Sequence, residues 1–147
     1  MEADQLTLRG PLRILCVEDN PLIAFHLEHM IEDLGDIYAG SVDSFTDLQT
    51  YPLDFAGALI DVDLSDGPTG PAAAQWLAAR GIPSVFVTGQ TEVANQHANL
   101  AVAIVAKPVT DEALAGAISE LRRAAHGLLV EADPRAARSA IVAQSTA

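Results

Sequence analysis

The chain is short of aromatic side chains, of bases and of cysteine, and each shortage excludes something. Aromatics make up 5% of its 147 residues while half are hydrophobic, so the core is expected to be aliphatic, built from Val, Ile, Leu and Ala. Eight bases against 20 acids give a net charge of −12. That balance argues against nucleic acid or an anionic membrane as a main partner. The only clustered bases, Arg122-Arg123 with Arg135 and Arg138 further on, fit a helix end and a tail better than a binding stripe. A lone Cys16, set inside an apolar run, excludes an internal disulfide and a cysteine-based zinc site. No apolar run approaches the ~20 residues needed to span a bilayer. The start, Met1-Glu2-Ala3-Asp4, has neither the positive region nor the apolar stretch of a secretion signal, and a cytoplasmic protein is expected.

What is present is a regular alternation of short apolar runs and helical patterns. The first strand is expected at 12–17. Asn20 then caps a helix with Pro21 at its first position. Ile23, Leu27, Met30, Ile31 and Leu34 recur at helical spacing as its buried face, and Gly35 stops it. A short strand at 37–42 follows, and Ser44 with Asp47 resembles a capping box for a brief second helix. The run 55–60 does not alternate, which marks a strand covered on both faces. The loop "DLSDGPTGP" leads to a helix from about Pro71 through Trp76, which is expected to pack on the sheet, to Arg80. Pro83 opens a fourth strand at 84–87. Residues 90–99 are weakly patterned and predict a short or irregular helix. A fifth strand is expected at 101–105, and Thr110 caps a last helix whose buried face reads Leu114, Ile118, Leu121. Asp133-Pro134 predicts a small further helix through Val142.

This alternation calls for an α/β fold, a doubly wound parallel sheet of five strands with helices on both faces. Ligands of such sheets bind beyond the carboxyl ends of the strands. Polar chemistry arrives at four of those ends: Glu18-Asp19, Asp61, Thr88 and Lys107. A carboxylate at the end of a buried strand is expensive to place without a partner. Three carboxylates in one site repel one another and call for a cation. Hard oxygen ligands with room for water suit Mg²⁺. Two charges from the metal and one from Lys107 balance the three acids. A metal pocket with a free carboxylate oxygen, a Lys and a hydroxyl is laid out to hold a phosphoryl group on that carboxylate.

These residues resemble the receiver domain of two-component response regulators over roughly 12–125, leaving 1–11 as an N-terminal extension and 126–147 as a tail. The motifs are the acid pair Glu18-Asp19, the acceptor Asp61, Thr88, and Lys107-Pro108, in order and at matching strand ends. The resemblance implies the flavodoxin-like strand order 2-1-3-4-5. It implies phosphorylation of Asp61 by a histidine kinase or phosphotransfer protein, with Mg²⁺ held by Asp19, Asp61 and the backbone carbonyl of Asp63. Glu18 would act mainly through a metal-bound water. Lys107 would pair with the phosphoryl group, Thr88 would move to bond it, and the Lys107–Pro108 bond would be cis.

The sequence departs from the common pattern at two switch positions. Ile104 stands where an aromatic is expected, and Val109 where a Phe usually follows Lys-Pro. The segment Phe86-Val87-Thr88-Gly89 resembles the Phe-Ala-Thr-Gly signature of stand-alone receivers lacking that aromatic, which implies an HWE-type kinase as donor. Such a receiver has no room for an output domain after its last helix, so an unknown downstream protein takes the signal. Two alternatives stand beside this. "LIDVDLS" mimics the haloacid-dehalogenase nucleophile motif, with Asp61 as nucleophile and Asp63 as general acid, although that family wants a second acid pair after the Lys, where only Asp111-Glu112 stand. A degenerate receiver serving as an interaction module is the other. The side chains of Asp63 and Asp66 read as solvated loop acids, and His26, His29, His97 and His126 as bystanders.

Overall fold

In the computed structural model, which describes residues 10–132, strand and helix alternate along the chain. β1 (Arg13–Val17), β2 (Ile37–Val42), β3 (Gly57–Ile60), β4 (Ser84–Thr88) and β5 (Ala103–Ala106) pair in parallel in the order β2-β1-β3-β4-β5. Between them run α1 (Pro21–Asp33), α2 (Phe45–Thr50), α3 (Gly70–Ala78) and α4 (Thr91–Gln96), with a 3-10 turn at Ala98–Leu100, and α5 (Asp111–Ala132) closes the described chain.

The sheet carries a hydrophobic layer on each face. Leu15 and Val17 point to one side with Leu48, Ile60, Leu77 and Phe86. Ile14 and Cys16 point to the other with Leu27, Ile31, Leu59, Val85, Leu114, Ile118 and Leu121. Successive strand residues face opposite sides, so a strand buried on both faces is apolar at every position. β3 is buried and apolar throughout accordingly, and β4 is buried throughout with apolar residues between Ser84 and Thr88. At the start of α1 the Asn20 side chain accepts hydrogen bonds from the amides of Leu22 (3.0 Å) and Ile23 (3.4 Å), with Pro21 first in the helix. Ser44 Oγ accepts from the Asp47 amide at 3.0 Å in the same way.

Several local expectations are corrected. Leu34 is 42% exposed, not part of the buried stripe, because the helix has already ended and Gly35 (φ +85°) turns the chain away. Ala24 and Leu27 carry the upper part of that stripe. Phe55 is buried but precedes the ladder, which begins at Gly57. β5 begins at Ala103, three residues after the end of the 3-10 turn at Ala98–Leu100. Trp76 sits at the rim of the core, edge-on to Phe45 with the Arg80 guanidinium 3.7 Å from its ring centre. α5 continues unbroken past position 125 to Ala132, and the helix expected at 133–142 lies outside the described residues.

At the amino ends of the strands lies a pairing with no local signature. Arg122 of α5 grips Asp36 at 2.7 and 2.8 Å and also donates to the Gly10 carbonyl at 2.8 Å. Asp36 in turn accepts from the Leu12 amide at 3.0 Å. Its side chain is 2% exposed. Arg122, read as a helix-end base, therefore fastens α5 to the entrances of β1 and β2.

Candidate functional site

The carboxyl ends of β1, β3, β4 and β5 bring the predicted polar residues to one edge of the sheet. Glu18 follows β1, with its amide bonded to the Val42 carbonyl at 2.9 Å, and Asp61 follows β3, with its amide on the Val17 carbonyl at 3.0 Å. Ladder bonds thus continue one residue past each strand and fix the backbone of both acids. Lys107 follows β5 and precedes a cis bond to Pro108, with its amide on the Thr88 carbonyl at 3.0 Å. Glu18, Asp61 and Thr88 are buried, and Asp19 is exposed.

Lys107 Nζ joins the acids. It donates to Glu18 Oε1 at 2.6 Å and to Asp61 Oδ2 at 2.7 Å. Burial works to lower its pKa, but the bonds to Asp61 and Glu18 prevail and carry it upward, so the ammonium stays charged. The second oxygen of Asp61 accepts from the Val62 amide at 2.7 Å, and the second oxygen of Glu18 from the Asn20 amide at 3.2 Å. Glu18 nonetheless has its pKa raised, by burial first, against the pull of Lys107 and Asn20 and with Asp61 adding repulsion.

One carboxylate oxygen from each of Glu18, Asp19 and Asp61 lies within 4.8 Å of the other two. Oxygens sharing one Mg²⁺ are separated by at most about 4.2 Å, twice the ~2.1 Å bond, so the cluster needs little closure to hold such an ion. The donor set is all hard oxygen, and three carboxylates with one ammonium leave two negative charges, matching a divalent cation. The residues fit Mg²⁺ on both counts.

Thr88 reaches the same edge with its hydroxyl accepting from the Gln90 amide at 3.0 Å, which leaves its proton free to donate. Asp63 is exposed, as read from the sequence, and Gln90 Nε2 donates to its Oδ2 across the mouth of the site. None of the four histidines joins the acid cluster among the described residues. Cys16 is an inert core thiol, its pKa pushed well up by burial. Asp111 and Glu112 lie exposed in the first turn of α5, so the second acid pair of a dehalogenase-type site is not assembled.

Asp66 is an exposed loop acid, as expected, and it also caps a helix. Its carboxylate accepts from the amides of Phe45 (3.2 Å) and Thr46 (3.1 Å) and from the Thr69 hydroxyl (2.6 Å), capping α2 from the acceptor loop. The Thr69 bond foremost, and then the two amides, hold its pKa down to about 2 from an ordinary 3.8, although desolvation opposes them. A depressed carboxylate contributes stability above its unfolded pKa and loses it as pH falls through the folded one. An Asp66→Ala chain is therefore expected to melt below wild type at neutral pH, with the gap closing between 3.8 and about 2. The effect should be small because the group is exposed. Thermal melts across that range check it, and a gap that persists to the acid end would count against the cap.

The fold is similar to that of several solved structures. SdrG from Sphingomonas melonis Fr1 is 32% identical with a TM-score of 0.61, the match covering 76% of this chain and 96% of that one. The receiver domain of the response regulator PhyR from Erythrobacter litoralis is 26% identical with a TM-score of 0.69, over 77% of this chain and 91% of that one. The signal receiver domain of a modulated diguanylate cyclase from Desulfovibrio desulfuricans G20 is 27% identical with a TM-score of 0.70, over 83% and 99%. No protein-family model and no curated protein matches the chain.

Proposed function

The chain belongs to the receiver domains of response regulators, and from that premise we propose that Asp61 accepts a phosphoryl group from a histidine kinase or phosphotransfer protein in a Mg²⁺-dependent reaction. The observation that carries this reading is the Lys107 ammonium, bonded at once to Asp61 and Glu18 beside a third carboxylate. Asp19, Asp61 and the Asp63 backbone carbonyl would hold Mg²⁺, with Glu18 reaching it through water. When bound, the ion supplies positive charge toward the phosphoryl oxygens.

The rest is done by the chain's own side chains. The Asp61 carboxylate attacks phosphorus, a P–O bond forms, and the P–N bond to the donor imidazole breaks with its electron pair returning to nitrogen. Lys107, already 2.7 Å from Asp61 Oδ2, meets the charge of the arriving group. The Thr88 hydroxyl donates to a phosphoryl oxygen. Modification adds about −1.5 to −2 charge at this edge, and the accompanying movement of Thr88 and its loop is the signal.

Ile104 packs at the rim of the core where receivers commonly carry an aromatic switch, so a tyrosine or phenylalanine rotamer is not the output device. Phe86-Val87-Thr88-Gly89 supports membership of the stand-alone group with a Phe-Ala-Thr-Gly signature and an HWE-type kinase as donor. Output then passes through contact with a downstream protein or onward phosphoryl transfer. Among the described residues no helix is long and apolar enough to cross a membrane.

The test is amide hydrogen exchange with Mg²⁺ and beryllofluoride, a mimic of the phosphoryl group. Exchange is expected to slow at Val62, Thr88 and Lys107. An exchange pattern identical with and without saturating mimic would contradict phosphoryl acceptance and favour a bare interaction module.

A further inference from the structure

Gly70 opens α3 directly against the backbone of the acceptor, and it has no space for a side chain. A Cβ there would stand 2.1 Å from the Asp61 carbonyl oxygen, 2.6 Å from Val62 Cα and 2.8 Å from the Val62 carbonyl oxygen. All three are main-chain atoms, so no rotamer change relieves the overlap. Gly67 in the same loop and Gly116 in α5 have nothing within 4 Å of the same position.

Gly70 also pulls where a larger residue would push. Its amide donates to the Val62 carbonyl at 2.9 Å, and the Val62 amide donates to Asp61 Oδ1 at 2.7 Å. Among the described residues the Val62 amide is the one amide bonded to the Asp61 carboxylate; the bare Gly70 Cα lies against the peptide that carries it, and the Gly70 amide holds the following peptide through the Val62 carbonyl. We propose that Gly70 is a positioning residue for phosphoryl acceptance: its bare Cα and its amide seat the Asp61–Val62 backbone, which fixes Oδ1 and leaves Oδ2 to Lys107. The inference rests on the reading of Asp61 as phosphoacceptor.

The test uses the full chain carrying Gly70→Ala, with Gly116→Ala as control, and measures phosphoryl uptake from acetyl phosphate with Mg²⁺ by intact mass. The Val62 amide resonance is followed in parallel at a temperature where melting shows the variant folded. Misplacement of a reacting group by about 1 Å costs about 100-fold in rate, so Gly70→Ala is expected to lose about 10- to 100-fold and to shift the Val62 resonance. Gly116→Ala should match wild type in both. Should Gly70→Ala fail to fold, an ester in place of the Gly70 amide adds no bulk, deletes the bond to Val62 and otherwise only weakens the Thr69 carbonyl as acceptor from Ala73. That chain is expected to shift the Val62 resonance and to slow uptake. Wild-type uptake with an unmoved Val62 resonance, in folded Gly70→Ala or in the ester, overturns the inference alone. Equal uptake by wild type and Asp61→Asn instead overturns the phosphoacceptor reading, and the inference with it.

Discussion

With Lys107 replaced by alanine, phosphoryl uptake on Asp61 is expected to fall about 100-fold, the cost of removing one preorganised donor from a site of developing charge. Binding of Mg²⁺ should hold or tighten in the same variant. Lys107 Nζ bonds to both Glu18 and Asp61, at 2.6 and 2.7 Å, so it meets the phosphoryl charge and repels the metal at once. Its loss leaves two nearly buried carboxylates without their ammonium and raises the negative charge presented to a divalent ion. Initial rates with acetyl phosphate, beside a Mg²⁺ titration, separate the two effects. Parallel loss of uptake and metal binding would mean that Lys107 only holds the pocket together.

Arg122→Ala should be the most damaging change outside the site. Removing one partner of a buried ion pair costs about 3–5 kcal/mol, and the Arg122 side chain is 24% exposed, which places the cost near the lower end. Asp36, 2% exposed in the intact protein, would lose its ion partner and keep its bond from the Leu12 amide. The Gly10 carbonyl loses its donor as well. Urea unfolding is expected to show a loss of about 3 kcal/mol, while uptake per folded molecule stays at the wild-type level because the pair lies at the amino ends of the strands. Replacing both residues with apolar ones of similar volume should recover much of the loss, since it is the stranded charge that costs. A single-variant loss below about 1 kcal/mol, the size of a surface pair, would mean that the grip on Asp36 is not maintained in solution.

The two pairs mark the limit of what the sequence made legible. Apolar runs that do not alternate predicted buried parallel strands, and β2 has the bounds expected at 37–42. Asn20-Pro21 and Ser44 announced helix starts because capping is local chemistry. The site was legible for a related reason: in a parallel sheet every strand delivers its carboxyl end to the same edge, so Glu18, Asp19, Asp61 and Lys107 meet once the order is known.

Pairings set by long-range packing were not legible. Asp36 and Arg122 are 86 residues apart, and nothing near either announces the other. Asp66 is exposed as read, but its capping bonds to Phe45 and Thr46 were not legible because those partners lie on an earlier helix. Leu34 and Trp76 fit apolar patterns, but a pattern does not say where the last turn ends or which rim a ring meets. Gly70 stood among loop glycines. At Gly67 (φ +108°) the backbone conformation calls for glycine, whereas at Gly70 the demand is for space.

The most direct test of the central claim is intact and peptide mass measurement after brief mixing with a phosphorylated histidine kinase and Mg²⁺. Wild type is expected to gain one phosphoryl group, on the peptide containing Asp61, and to gain none when Mg²⁺ is chelated or when Asp61 is replaced by asparagine. A phosphoryl group found on another residue, or taken up equally by the Asp61→Asn chain, would contradict the account.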